Sequence, residues 1–336
     1  MKVYSYQELT ERQQERLLRI QGVEQACFYQ GNEKETNPPL DFLNSSICFG
    51  NPPAEWLKQV DQLKWIQLIS VGFGEYLPHA KLIYQKNLKI TNLKGFFGVP
   101  VAETILGGIF SLYRQLNQLA VMQTKTEWAG DDLRESLRTL MGRKVVLIGR
   151  GAIHQQLLAY LAPFQCKISM FGSDYNAAEL DQALKQADIL VCTVPATPQT
   201  NNILDAVRLA LLPKQAIFLN FGRSNIVDTP AMIQMLETKQ LAGAVLDVTD
   251  DEPLGPEDPL WTTPNLLLTQ HTSGGMPQET DRKLDFFDNN LQRLRKGEEL
   301  INEIDLSKGY RDAIDQSNKN FITEFPLRPC RSSRNS

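Results

Sequence analysis

The chain has 336 residues, 42% apolar and 22% charged, with a formal net charge of −4. That length suits two ordinary domains whose cores need no disulfide or metal staple. The mildly acidic balance gives no footprint for nucleic acid or an anionic membrane, so a small molecule is the expected partner.

The N-terminal Met1-Lys2-Val3-Tyr4-Ser5-Tyr6-Gln7-Glu8 has no apolar core of a signal peptide. No run of about 18 apolar residues follows, so no membrane span and a cytoplasmic location are expected. In the first third, strand candidates are Ile47–Phe49, Trp65–Ile69 and Leu88–Thr91. Pro53 is placed to start a helix toward Val60. Val101 to about Ala120 carries Ile105, Ile109, Leu112 and Leu116 at helical spacing and reads as a linker helix between domains.

A second strand series follows: Lys144–Ile148, Lys167–Phe171, Asp188–Cys192, Ala216–Asn220, Ala244–Asp247 and Leu266–Thr269. Helical stretches such as Thr229–Thr238 separate most of them. Short apolar runs alternating with helices imply parallel sheets, and six such strands fit a dinucleotide-binding domain. A last amphipathic helix spans about Gln278 to Lys296, and the composition turns polar after Tyr310, with Arg328–Ser336 expected to fray. The five cysteines (Cys27, Cys48, Cys166, Cys192, Cys330) form no CxxC pair, so no metal site is expected.

Gly149-Arg150-Gly151-Ala152-Ile153-His154 follows directly on the strand ending at Ile148 and precedes a helical segment. Gly149 permits a tight turn, and Gly151 lets backbone approach a pyrophosphate on the helix N-terminus. A lone glycine pair is a weak signal and also fits a sheet without a dinucleotide. The strand before it and the helix after it favour a cofactor. His154 stands where a third glycine normally packs helix on strand. The acid that usually takes the ribose 2′-OH is missing too: Gly172 holds that place, with Ser173 and Asp174 after it and no arginine nearby in sequence. NAD and NADP both remain open.

Open α/β sheets bind ligands beyond the carboxyl ends of their strands. Thr193-Val194-Pro195 follows one strand of the second series and Gly222-Arg223 the next. Asp247 and Glu252 follow the fifth, and His271 the sixth. These suit one chemistry. Arg223 can hold a carboxylate and polarise a carbonyl through its planar fork. His271 can exchange a proton near neutrality. Glu252 can orient it and favour its charged form. Blander readings stand beside these. Arg223 could be a surface arginine. Glu252 could belong to a solvated acidic loop with Asp250, Asp251, Glu257 and Asp258. His271 could be bonded to backbone. His79 reads as a surface loop residue.

At these residues the chain resembles the D-isomer-specific 2-hydroxyacid dehydrogenase family, over roughly residues 40 to 310. Asn220-Phe221-Gly222-Arg223-Ser224-Asn225-Ile226-Val227-Asp228 is similar to the family's arginine segment. Asp247 to Leu254, then Asp258 to Trp261, is similar to its glutamate segment. Asn265 to Gly274 is similar to its histidine segment. The resemblance implies two Rossmann-like domains. A dinucleotide-binding domain (residues 99–287) is inserted into a split, flavodoxin-like substrate domain (residues 1–98 and 288–336). Gly98-Val99-Pro100-Val101-Ala102-Glu103 looks like the hinge.

It also implies a hydride transfer between NAD(P)H and a small 2-keto or D-2-hydroxy acid, in a homodimer joined through the cofactor domains. Arg223, Glu252 and His271 are then catalytic. Val71 and Gly72 offer N–H groups to the substrate carboxylate, beside Arg223. Gly149, Arg150, Gly151, Ala152, Ile153, Gly172, Ser173, Asp174, Val194, Pro195, Thr200, Phe221 and Gly222 line the cofactor, and Asp247 holds the nicotinamide amide. Departures from the family pattern are His154, Gly172, Gln270 in place of a proline, and Ser224 in place of a glycine. They leave a second reading open, a catalytically weak dinucleotide-binding module with a regulatory or partner-binding role.

Overall fold

The computed structural model describes residues 1–29 and 37–307, so the expected polar tail lies outside the described residues. Its strands pair in two all-parallel sheets. The first holds β1 (Lys2–Ser5), β2 (Gln25–Phe28), β3 (Ile47–Phe49), β4 (Trp65–Gln67) and β5 (Lys89–Thr91), in the order β2-β1-β3-β4-β5. The second holds β6 (Lys144–Ile148), β7 (Lys167–Phe171), β8 (Ile189–Cys192), β9 (Ile217–Asn220), β10 (Gly243–Leu246) and β11 (Leu266–Leu268), in the order β11-β10-β9-β8-β6-β7.

Both sheets are doubly wound. The chain enters at an inner strand, steps out to one edge, then crosses back to build the other side. The switch points lie between β1 and β3 and between β6 and β8, and a ligand crevice is expected above each. The first order is flavodoxin-like, as expected. The second ends at β7, one strand short of the usual dinucleotide-binding half. Strands β3 to β11 fall in the expected segments, whereas β1 and β2 were not anticipated from periodicity. Each is four residues long, and β2 is a half-buried edge strand with little apolar signal.

Period-two alternation sends apolar residues to both faces of the second sheet, as a sheet covered on both sides requires. Val145 and Leu147 of β6 face a core with Ile105, Ile109, Leu157 and Leu161. Val146 and Ile148 face another with Leu180, Leu184, Met232 and Leu236. The expected linker helix is corrected here. It runs Gly98–Tyr113, breaks at Gln115 (φ +55°), and resumes as Leu116–Thr124 with no buried residue. The first part is built into the core of the second sheet and is not a spacer. Pro53 precedes a 3-10 helix, Ala54–Lys58, in place of a longer helix.

In the first lobe the helix Glu279–Lys296 lays Leu284, Phe287 and Leu291 on Val3, Phe49 and Trp65. The Phe287 ring stacks on Trp65 at 5.1 Å. The helix packs on this sheet from Leu284 onward and so crosses the expected domain boundary at residue 288. Buried Asn290 pins it, donating to Gln67 Oε1 (3.1 Å) and Ile301 O (3.0 Å) and accepting from Ile301 N (2.8 Å). No helix of the described residues is long and apolar enough to cross a membrane.

Adjacent glycines on Gly98–Tyr113 make opposite demands. A Cβ on Gly108 would lie 3.0 Å from Val245 Cγ2, whereas one on Gly107 would meet nothing within 4 Å. Gly108→Leu is expected to destabilise the fold by about 1–3 kcal/mol through overpacking. Gly107→Ala is expected to stabilise it by about 0.5–1 kcal/mol. Urea unfolding of the two variants checks both signs.

Candidate active site

The glycine loop sits above the switch point of the second sheet. Gly149 has φ +123°, and a Cβ there would fall 2.8 Å from Thr193 Oγ1, so this turn requires glycine twice over. Its N–H donates to Phe171 O at the end of β7 (2.7 Å). Gly151 is the N-cap of the helix Ala152–Leu161, which has no side-chain cap, and a Cβ on Gly151 would meet open space. Exposed backbone N–H groups at an uncapped helix start, reached across bare glycine, fit a pyrophosphate.

His154 does not obstruct this loop. Its ring is fully buried, and Nδ1 must be the donor to Gly149 O (2.9 Å), since a carbonyl can only accept. Nε2 has no hydrogen-bond partner. Burial pushes the imidazole down to about 4, although the Gly149 carbonyl opposes the shift. A neutral ring therefore fills the space that a third glycine would leave to close packing.

The acid–base pair lies beyond β10 and β11. His271 Nδ1 is 2.6 Å from Glu252 Oε2, and Thr249 N donates to Glu252 Oε1 (3.1 Å). Burial raises the Glu252 carboxyl, but the His271 hydrogen bond, the Thr249 N–H and the charges of His271 and Arg223 outweigh it. They hold the group below its usual range. The side chains of His271 and Glu252 remain 53% and 38% exposed, open to a ligand.

Gln270 and His271 are both left-handed, at φ +51° and +54°. Proline, fixed near −65°, cannot take the Gln270 conformation, which accounts for its absence there. Buried Asp247 holds this turn. Its carbonyl accepts His271 N–H (2.6 Å), and Oδ1 accepts Thr269 Oγ1 (2.6 Å) and Ser273 N (3.2 Å). Oδ2 accepts the Ser273 hydroxyl.

Arg223 follows β9. Gly222 before it would place a Cβ 2.5 Å from Val194 O, so the β8 and β9 loops touch through backbone. Asn220 ties this turn, accepting from Gly222 N (3.1 Å) and donating to Arg223 O (2.9 Å). Arg223 Nη1 donates to Gly222 O (2.7 Å). Nη2 reaches the first lobe, 3.1 Å from where a Gly72 Cβ would stand. There Asn92 donates to Val71 O (2.8 Å) and Ser70 Oγ to Gly72 O (2.9 Å), and Asn51 donates to Ser70 Oγ (2.9 Å). With both carbonyls held, the N–H groups of Val71 and Gly72 are left as donors among the described residues.

The structure thus brings His271, Glu252 and Arg223 together, with Gly72 beside Arg223. Along the loop after β8, Thr200 Oγ1 donates to Pro195 O (2.6 Å), and Phe221 N donates to Cys192 O (2.9 Å). The expectation that no arginine lies near Gly172 is corrected. Arg150 reaches across from the glycine loop, its Nη1 2.8 and 3.1 Å from the two Asp174 oxygens. His79 is corrected as well. It ends the 3-10 helix Gly74–His79, half-buried, with Nε2 3.3 Å from Glu55. Sequence reasoning gave no role to Asn220, Thr269, Ser273 or Asn92. For Asn220, Thr269 and Ser273 the only signal was a polar residue within three positions of a proposed site residue, and Asn92 carried none.

The sequence profile described as D-isomer specific 2-hydroxyacid dehydrogenase, NAD binding domain, matches residues 106–273, half of the chain. The glyoxylate reductase of Thermofilum pendens is 27% identical over 266 residues, 73% of this chain and 76% of that protein. The glyoxylate/hydroxypyruvate reductase A of Arabidopsis thaliana is 26% identical over 260 residues, 75% of this chain and 81% of that protein. A crystal structure of a D-isomer specific 2-hydroxyacid dehydrogenase family protein from Aeromonas salmonicida superimposes with a TM-score of 0.75 at 27% identity. It covers 91% of this chain and 99% of that one.

His154 makes stability depend on pH. From the ordinary histidine value of 6.5 down to about 4, the unfolded chain takes up a proton that the folded chain refuses. Stability from this group is full above 6.5 and falls by roughly 3 kcal/mol across that window. Urea unfolding at pH 7 and pH 5 is expected to show a smaller loss in His154→Gly than in the parent. Equal losses in the two proteins would refute the assignment.

Proposed function

The chain belongs to the D-isomer-specific 2-hydroxyacid dehydrogenase family, an NAD(P)-dependent oxidoreductase line, and we propose that it interconverts a small 2-keto acid and the D-2-hydroxy acid with His271, Glu252 and Arg223 as its working residues. The observation that carries this reading is the 2.6 Å His271–Glu252 contact, in a cleft where Arg223 also acts on the Glu252 carboxyl.

In the direction of reduction, the substrate carboxylate binds Arg223 and the N–H groups of Val71 and Gly72. The guanidinium also draws electron density toward the carbonyl oxygen, where negative charge develops. His271 gives the proton on Nε2 to that oxygen, while its Nδ1–H donates to Glu252 Oε2. The carboxylate fixes the ring plane throughout. In the direction of oxidation the neutral ring takes the hydroxyl proton back. When bound, the nicotinamide supplies or receives the hydride. The uncapped helix at Gly151, the Val194–Gly222 backbone contact and the Thr200 loop are the surfaces that hold the dinucleotide. Asp247, whose carboxylate already accepts three donors, fixes the His271 turn and retains lone pairs for the nicotinamide amide.

The substrate class is the small 2-keto acids, glyoxylate and hydroxypyruvate among them, because the relatives of similar sequence carry those names. Loss of NADH or NADPH absorbance across glyoxylate, pyruvate, hydroxypyruvate and bulkier 2-keto acids tests it. His271→Gln is expected to lower kcat by about 100- to 10,000-fold. Arg223→Gln is expected to raise KM as well as lower kcat. Dinucleotide binding without turnover on any acid, unchanged in His271→Gln, would favour the regulatory reading instead.

The assembly proposed is a homodimer joined through the cofactor lobe. Leu116, Val121, Trp128 and Met141, all within residues 116–141 of that lobe, are exposed, Trp128 at 96%. Large apolar side chains left exposed in this number fit a face that a second copy covers. Sedimentation velocity is expected to give a dimer for the parent chain and a shift toward monomer for Trp128→Glu. A monomeric parent would overturn it.

A further inference from the structure

The end of β7 is built unlike an ordinary adenosine-ribose site. An NAD site places an acid there to accept the ribose 2′-OH. Here the position is Gly172, and the space beside it is taken. A Cβ on Gly172 would lie 2.9 Å from Arg150 Cδ, 3.1 Å from Arg150 Nε and 3.1 Å from Asp174 Oδ1. The room that an acidic side chain would need belongs to an arginine delivered from the glycine loop, one residue before the anion-binding helix start.

That arginine is held by an exchangeable partner. Arg150 Nη1 contacts both Asp174 oxygens, with the two side chains 36% and 70% exposed. Exposed pairs of this kind are weak and screened by salt. A phosphate dianion offers a guanidinium more charge and more acceptor oxygens than one carboxylate does. The exposed Ser173 hydroxyl lies between Gly172 and Asp174 in the chain. An NAD ribose would share the Asp174 carboxylate with Arg150 and would offer the guanidinium no charged acceptor of its own.

We propose that Arg150 selects NADP(H) over NAD(H), its guanidinium exchanging Asp174 for the adenosine 2′-phosphate. This rests on the glycine loop being the dinucleotide site. Titration calorimetry with NADPH, NADH, adenosine 2′,5′-bisphosphate and AMP tests it without turnover. The parent chain is expected to bind NADPH more tightly than NADH, and the bisphosphate more tightly than AMP. Arg150→Ala is expected to lower both ratios by about 10- to 100-fold, the worth of a charge-assisted hydrogen bond. Arg150→Lys should keep part of the preference, and Asp174→Asn should increase it. A parent chain that binds NADH as well as NADPH, or an Arg150→Ala variant that weakens both equally, overturns the selector role while leaving the dinucleotide site intact. Binding of neither dinucleotide would instead overturn the loop reading, and this proposal with it.

Discussion

The hydrogen bond between His271 Nδ1 and Glu252 Oε2 depends on a turn that is unfavourable by itself. Gln270 and His271 are consecutive non-glycine residues at positive φ, which costs about 1–3 kcal/mol for each. Such a turn persists only if its surroundings over-determine it. Asp247 does so, with its carbonyl on the His271 N–H and its carboxylate on Thr269 and Ser273. The carboxylate is buried and takes three donors, so replacing it would leave those donors without their partner. Strain in the backbone thereby becomes fixed placement of an imidazole that still faces solvent.

The same economy governs the rest of the cleft. Close backbone approach at Gly222 and Val194 brings the β8 and β9 loops together. Asn220 then closes the turn that presents Arg223. Across the cleft, Asn92 and Ser70 hold the Val71 and Gly72 carbonyls and leave the amides as donors. Arg223 and the Val71 and Gly72 amides are thus aimed by neighbouring neutral side chains. The doubly wound order of both sheets collects these loops at the carboxyl ends of the strands, so no long insertion is needed to assemble the site.

On the cofactor side, two departures from the family pattern have different physical outcomes. His154 occupies a packing position as a neutral, buried ring that satisfies one carbonyl and leaves one nitrogen bare. Its consequence is for stability in acid. Gly172 removes a charge from the ribose end and gives its space to Arg150. Its consequence is for ligand choice. Neither reaches the His271, Glu252 and Arg223 set.

What the sequence determined by itself was local and periodic. Apolar runs located nine strands, the glycine pair located the turn after β6, and Arg223, Glu252 and His271 stood out because each follows a strand end. The four-residue strands β1 and β2 are too short to show a period, and only pairing, β1 with β3 and β2 with β1, makes them strands. The helix break at Gln115 and the Gln270–His271 turn depend on single backbone angles that no residue type announces. Arg150 and Asp174 stand 24 positions apart, and nothing in their local pattern joins them. Tertiary structure decided those features because hydrogen bonds and ion pairs act over about 3 Å of space, whatever the distance along the chain.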